Sequence, residues 1–125
     1  MVNFTKEKIM LLHKLIAEET GGDPGVRDID LLESAINNVY ATFDGKELYA
    51  TKEEKAAQLA YSLITNRAFV DGNKRIGVHA MLLFLEVNGI RVDATNEEVH
   101  DFGIKVASGK MPQKEIVEWI IKHEV

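Results

Sequence analysis

The sequence predicts an all-α fold, a compact bundle of about six helices. Three observations predict it. Apolar residues recur at helical spacing along nearly the whole chain, and a capping-box signature opens three of the periodic segments. The only strand candidates are short, at residues 48–50 and 90–93.

The first helix places Ile9, Leu12 and Ile16 on one face, with Leu11 and Leu15 beside them, and Gly21-Gly22 ends it. The stretch GGDPGVRD is rich in Gly and Pro and reads as a turn between helices, not as a linker between domains. Asp30 with Glu33 has the spacing of a capping box for a second helix, which turns Leu31, Leu32, Ala35, Ile36 and Val39 inward. Thr51 with Glu54 opens a third, where Ala56, Leu59, Ala60 and Leu63 face the core. A fourth runs from Asn73 to Asn88 on a stripe of Ile76, Ala80, Leu83, Phe84 and Val87, and Asn88-Gly89 stops it. Thr95 with Glu98 opens a fifth, carrying Val99, Phe102 and Val106. Pro112 suits the first turn of a sixth, with Ile116, Trp119 and Ile120 inside.

A chain of 125 residues fits one domain, 1–125, large enough to bury a core without covalent staples. The net charge of −5 argues against direct contact with nucleic acid, which calls for a basic face. With no cysteine there are no disulfides, thiolate metal sites or thiol catalysis, as suits a reducing compartment. The opening MVNFTKEKIMLLHKL lacks the apolar core of a signal peptide, and the longest apolar run, 80–85, is too short to cross a bilayer. These features place the protein in the cytoplasm and off the membrane.

The densest chemistry lies at TNRAFVDGNKRIGVH, residues 65–79. A helix N-terminus leaves unpaired N–H groups and partial positive charge, which together favour an anion. Gly72 lets the backbone approach a phosphate closely. The Asn73 amide can hold the loop's shape, while Lys74 and Arg75 add charge, Arg with a two-pronged grip. Asp71 beside phosphates makes sense as a Mg²⁺ ligand or a proton acceptor, and Phe69 as the loop's apolar anchor. Against this stands a plainer alternative: Gly-Asn is ordinary turn chemistry and Lys-Arg an ordinary solvated pair. Spacing alone leaves both open.

NRAFVDGNKR resembles the signature of the Fic/Doc family, His-x-Phe-x-Asp/Glu-Gly/Ala-Asn-Lys/Gly-Arg, and most closely its Doc (death-on-curing) branch. GGDPGVRDIDLLESAI, ATFDGKELY, EEKAAQLAYSLITN and MLLFLEVNGIRVDAT are similar to further Doc-type segments in the same order, so the resemblance spans nearly the whole chain. It implies an enzyme that uses ATP and Mg²⁺ to modify a hydroxyl of a target protein. Most members transfer AMP. Doc-type toxins transfer a phosphoryl group to elongation factor Tu and are paired with an antitoxin chain that covers the active-site groove. Carried over by position, Asp71 would hold the metal, Gly72 and Asn73 would form the anion hole, and Lys74 and Arg75 would contact phosphates, with Asp71 and Lys74 also serving catalysis. Lys74 stands where AMP-transferring members usually have Gly, and Val78 replaces their further Arg. Both differences favour the Doc branch. No inhibitory Ser/Thr-x-x-x-Glu-Gly/Asn helix is found, so any inhibition is expected from a separate chain.

One position departs from the pattern. The signature His, the family's general base, is replaced by Arg67, and Ala68 follows where Pro is frequent. Arginine stays protonated at physiological pH and cannot take the proton of an attacking hydroxyl. Loss of general-base help costs about 10²–10⁴-fold in rate, although phosphoryl transfer relies mainly on positioning and electrostatics. His79 shares a helical face with Arg75 and reads first as a histidine packed within the bundle; His13 and His100 have no evident partner. Arg27 and Asp28 read as a loop salt bridge sooner than a target clamp, Tyr40, Phe43, Tyr49 and Tyr61 as core or rim aromatics, and Trp119 as a core plug. Three functions remain in view: an attenuated Doc-like phosphotransferase or, second to it, an AMP transferase; a catalytically silent module binding nucleotide and antitoxin; and a helical scaffold whose Gly-Asn-Lys-Arg loop is only a turn.

Overall fold

Side-chain size decides which helix sits at the centre. In the computed structural model, which describes residues 1–125, that helix is α3 (Lys52–Asn66). Ala56, Ala57 and Ala60 keep its surface low, and nine of its residues are buried. Neighbours therefore reach it from several sides: α2 (Ile29–Asn37), α4 (Asn73–Val87), α5 (Asn96–Ala107) and α6 (Gln113–His123), while α1 (Lys6–Thr20) packs on α4 and α2. The closest approach is between α3 and α4. A Cβ on Gly77 would lie 2.4 Å from Ile64 Cγ1 and 3.1 Å from the Ala60 carbonyl oxygen, so only glycine permits this spacing. That contact fixes the start of α4 relative to the loop leaving α3.

The all-α reading and its six helices stand. Thr51 and Thr95 each form the expected reciprocal box, with Glu54 and Glu98. The second helix is capped differently. Asp28 accepts from the amides of Asp30 and Leu31 (3.0 and 3.1 Å), because the helix begins at Ile29 and already contains Asp30. Glu33 instead takes the Lys6 ammonium at 2.7 Å. Pro112 is the cap of α6, one residue before its first turn. The α4 stripe is rotated from the predicted one: Leu83 and Val87 are exposed, and Gly77, Val78, Met81 and Leu85 are buried in their place. On α1 the inward stripe is Ile9, His13 and Ala17; Leu12 and Ile16 are half-buried at its edge. Trp119 is half-buried, between the rings of Phe102 and His123.

Neither predicted strand forms as drawn. The chain folds back at Asp44-Gly45, whose φ angles of 53° and 77° fit a tight hairpin turn. The pairing therefore falls beside that turn, β1 (Thr42–Phe43) with β2 (Lys46–Glu47), and residues 48–50 bend away. There the buried Lys55 ammonium donates to the Tyr49 carbonyl and pairs with Glu47 at 3.2 Å. Residues 90–93 make one antiparallel bridge, Val92 with Glu124, flanked by bonds from the Asp93 amide to the His123 carbonyl and from the Val125 amide to the Arg91 carbonyl.

Candidate functional site

α3 ends at Asn66, and Arg67 reverses the chain in the left-handed region, φ 52° and ψ 49°. Ala68 and Phe69 then enter the core. Burying a phenylalanine side chain contributes about 1.5–3 kcal/mol, enough to anchor a short loop. Asn73 closes it as expected: its Oδ1 accepts from the Phe69 amide at 2.9 Å, and its Nδ2 donates to the Phe69 carbonyl at 3.0 Å.

The Gly- and Pro-rich turn between α1 and α2 braces this loop from outside. The amides of Arg27 and Asp28 donate to the Ala68 carbonyl (2.8 and 3.0 Å), and Val70 donates to the Gly25 carbonyl at 3.0 Å. The Arg27 guanidinium does not pair with Asp28. It donates to the Arg67 carbonyl, Nε at 2.9 Å. The expected loop salt bridge is absent because Asp28 is engaged in capping α2.

Gly72, with φ 74°, supplies no side chain to cap α4. The first amide of that helix to find a partner is that of Ile76, which donates to the Gly72 carbonyl at 2.9 Å. The amides of Asn73, Lys74 and Arg75 are left free at the positive end of a 15-residue helix. Asp71 lies beside them. Its Oδ1 accepts from the Gly72 amide at 2.8 Å, and its Oδ2 has no protein partner. It faces the Gly22 wall, where a Cβ would come within 3.0 Å of it.

These groups share one cleft of about 600 Å³ between α1 and the start of α4. Arg67, Asp71, Gly72, Asn73, Lys74 and Arg75, every residue predicted for the site, line it. Its cations are Arg67, Lys74 and Arg75, and its carboxylates Asp23 and Asp71. A chain of net charge −5 thus holds a locally positive cleft. His79 and His100 lie outside, in an adjoining groove of about 220 Å³ between α4 and α5. His79 is exposed, not packed within the bundle.

His13, which had no evident partner in the sequence, also lines the cleft. It is buried, its ring stacks on Phe69 at 3.8 Å, and its Nε2 donates to the Asp71 carbonyl at 2.7 Å. A carbonyl oxygen only accepts, so Nε2 carries the hydrogen. His13 therefore offers the cleft no lone pair at Nε2.

Comparison with known proteins gives the family. The Fic/DOC family model matches residues 3–85. The chain belongs to the Fic/DOC family. It is 43% identical over 74 residues to the Toxin Doc of Mycolicibacterium smegmatis, a match spanning 59% of this chain and 57% of that protein. It is 28% identical over 118 residues to the Protein kinase doc of Escherichia phage P1, spanning 94% of this chain and 92% of that one. The Fic/DOC match ends within α4, yet α5 completes the site: Ala107 lines the cleft, and Gly103 makes room for the Lys74 stem, whose Cγ would lie 3.3 Å from an added Cβ. No helix is long and apolar enough to cross a membrane.

Proposed function

We propose that this chain is a Doc-type toxin whose cleft binds ATP with Mg²⁺ and is arranged for phosphoryl transfer to a hydroxyl of a translation factor, elongation factor Tu, with turnover held down by Arg67. The observation that carries the reading is the uncapped start of α4. Its three free amides, Lys74 and Arg75 point to bound phosphates, and the Asp71 carboxylate stands at their edge with one oxygen unpaired.

The residues fit the group. Asp71 Oδ2 would hold the metal together with phosphate oxygens, the sparse protein coordination usual for Mg²⁺. Mg²⁺ bound there would draw charge from the phosphates during transfer. Lys74 and the amides of residues 73–75 orient and neutralise the transferred group. The attacking hydroxyl must still lose a proton. Arg67 cannot take it, and Nε2 of His13 is already protonated. By position, Arg67 adds a third cation where the family signature has its base. That favours a second reading, a module that binds nucleotide and antitoxin without turning over. AMP transfer ranks below both, since Lys74 and Val78 depart from the AMP-transferring pattern.

The antitoxin chain would cover this cleft. Val70, 55% exposed, lines the cleft and offers it apolar contact. The deciding experiment incubates elongation factor Tu with γ- or α-labelled ATP and either this protein or its Arg67→His variant. Transfer of the γ label by the variant, at a rate about 10²–10⁴-fold above the parent, supports attenuation at Arg67. Transfer of α label moves the reading to AMP transfer. No transfer by either protein, with Mg²⁺–ATP bound to both, removes the translation factor as target.

A further inference from the structure

His13 is 3% exposed, and the functional reading above gives it no chemistry. Its setting is unusual for a residue that only packs. One ring face lies on Phe69, the planes inclined by 12°. Nε2–H donates to the Asp71 carbonyl, and Nδ1 is buried with no partner at all. A dry lone pair works against folding. A phenylalanine or leucine here would pack on Phe69 without that penalty. The hydrogen bond to Asp71 is what an apolar residue would lack.

The geometry points to His13 as a positioning residue: its Nε2–H holds the Asp71–Gly72 peptide in the one orientation that leaves the anion site open. The need for such a hold follows from Gly72. A peptide flanked by glycine flips at low cost, because glycine occupies both signs of φ. Gly72 has φ 74°, and its amide is tied only to the carboxylate of Asp71 itself. A flip would turn the Asp71 carbonyl dipole from the floor of the cleft toward the bound anion and free the carboxylate to swing away. The ring sits directly beneath, with Nε2 3.6 Å from where a Cβ on Gly72 would be. The bond joins α1 to the loop across 58 residues, so docking of α1 and the shape of the anion site are one event. The consequence for nucleotide binding rests on the ATP–Mg²⁺ reading; the consequence for the loop does not.

Two substitutions separate donor from ring. His13→Phe keeps the stack and removes the donor. His13→Gln removes the ring and keeps an amide N–H at a similar reach. The readouts are the thermal midpoint, the Gly72 amide resonance with its relaxation dispersion, and calorimetric affinity for Mg²⁺–ATP. His13→Phe is expected to melt at or above the parent, to show exchange broadening at residues 71–73, and to bind Mg²⁺–ATP about tenfold more weakly, the worth of one hydrogen bond. His13→Gln is expected to melt lower and to keep the parent's Gly72 resonance and affinity. An unchanged Gly72 resonance in His13→Phe overturns the proposal. Equal broadening in both variants also overturns it, because the ring would then be what matters. If the parent itself fails to bind Mg²⁺–ATP, the functional reading falls, and the Gly72 resonance still decides the role of His13.

Discussion

The guanidinium of Arg27 closes on the main-chain carbonyl of Arg67, 40 residues away, and its Nη2 also reaches the Asn66 carbonyl at 3.4 Å. Charge-assisted bonds to the end of α3 thus fix the turn into the site without using the Arg67 side chain. Both groups are exposed, which limits the gain to about 1 kcal/mol. Arg27→Ala is expected to lower the thermal midpoint by about 4 °C and to speed amide exchange in the 67–70 loop. A midpoint equal to the parent's would mean that the brace carries no load.

Arg67 itself occupies the left-handed region, which disfavours most side chains by about 1–2 kcal/mol. Glycine escapes that cost but loses about 0.5–1 kcal/mol in chain entropy. Arg67→Gly should therefore leave stability within about 1 kcal/mol of the parent. Arg67→Val, branched at Cβ, should lose about 2 kcal/mol. Histidine is well tolerated in this region, so Arg67→His should fold normally, and its activity reports on chemistry alone. Denaturant melts of the three variants check the order.

Two glycines of the same helix region should respond differently to alanine. At Gly72 the added Cβ meets only His13 Nε2, at 3.6 Å, so the cost is backbone strain of about 1 kcal/mol. At Gly77 it would collide with Ile64 and the Ala60 carbonyl and pry α4 from α3, at a cost of about 2–3 kcal/mol. Melting both variants tests this. A larger loss at Gly72 than at Gly77 would contradict the packing described.

What the sequence reveals and what it hides follows from distance along the chain. The Thr51–Glu54 and Thr95–Glu98 boxes and the Asn73–Phe69 clamp join residues three or four apart, and all are legible locally. His13–Asp71 and Arg27–Arg67 depend on how helices dock, and no local pattern announces them. The inward face of α1 is misread for a related reason. An apolar count favours Leu12 and Ile16 over a polar His13, although 9, 13 and 17 also have helical spacing. Asp28 is missed as a cap because Asp30 with Glu33 offers the same signature two residues later.

Stability should fall as the pH rises from about 4.5 to above 6.5, through the chain's last residues. Both ring nitrogens of His123 face acceptors, the Trp119 carbonyl and the Glu98 carboxylate, at 2.7 and 2.8 Å. Those contacts raise its pKa above 6.5, the backbone bond first. The neighbouring Glu53 carboxyl, together with burial, lifts the pKa of Glu124 from 4.5 to about 7. Both groups bind protons more tightly when folded. The Glu124 contribution is full below 4.5 and lost by about 7, and that of His123 is full below 6.5 and lost above. Glu98 acts oppositely: the Thr95 amide and then His123 hold it near 2, so its contribution fades as the pH falls below 4.5. Urea melts across pH should show the falling flank, flattened between 4.5 and 7 by Glu124→Gln and above 6.5 by His123→Gln.

The last prediction isolates Asp71. Asparagine keeps a side-chain oxygen to accept from the Gly72 amide, so the loop should retain its shape and stability should stay within about 1 kcal/mol of the parent. What Asp71→Asn loses is the negative charge of the carboxylate that adjoins the start of α4. Without Mg²⁺, that carboxylate repels the phosphates, so the variant should bind ATP more tightly than the parent. With Mg²⁺ present the order should reverse, because the parent alone keeps an anionic protein ligand for the ion. Calorimetry at zero and saturating Mg²⁺ gives the four affinities. The crossing is the signature: a variant weaker by the same factor in both conditions would show that Asp71 shapes the loop and does not hold the metal.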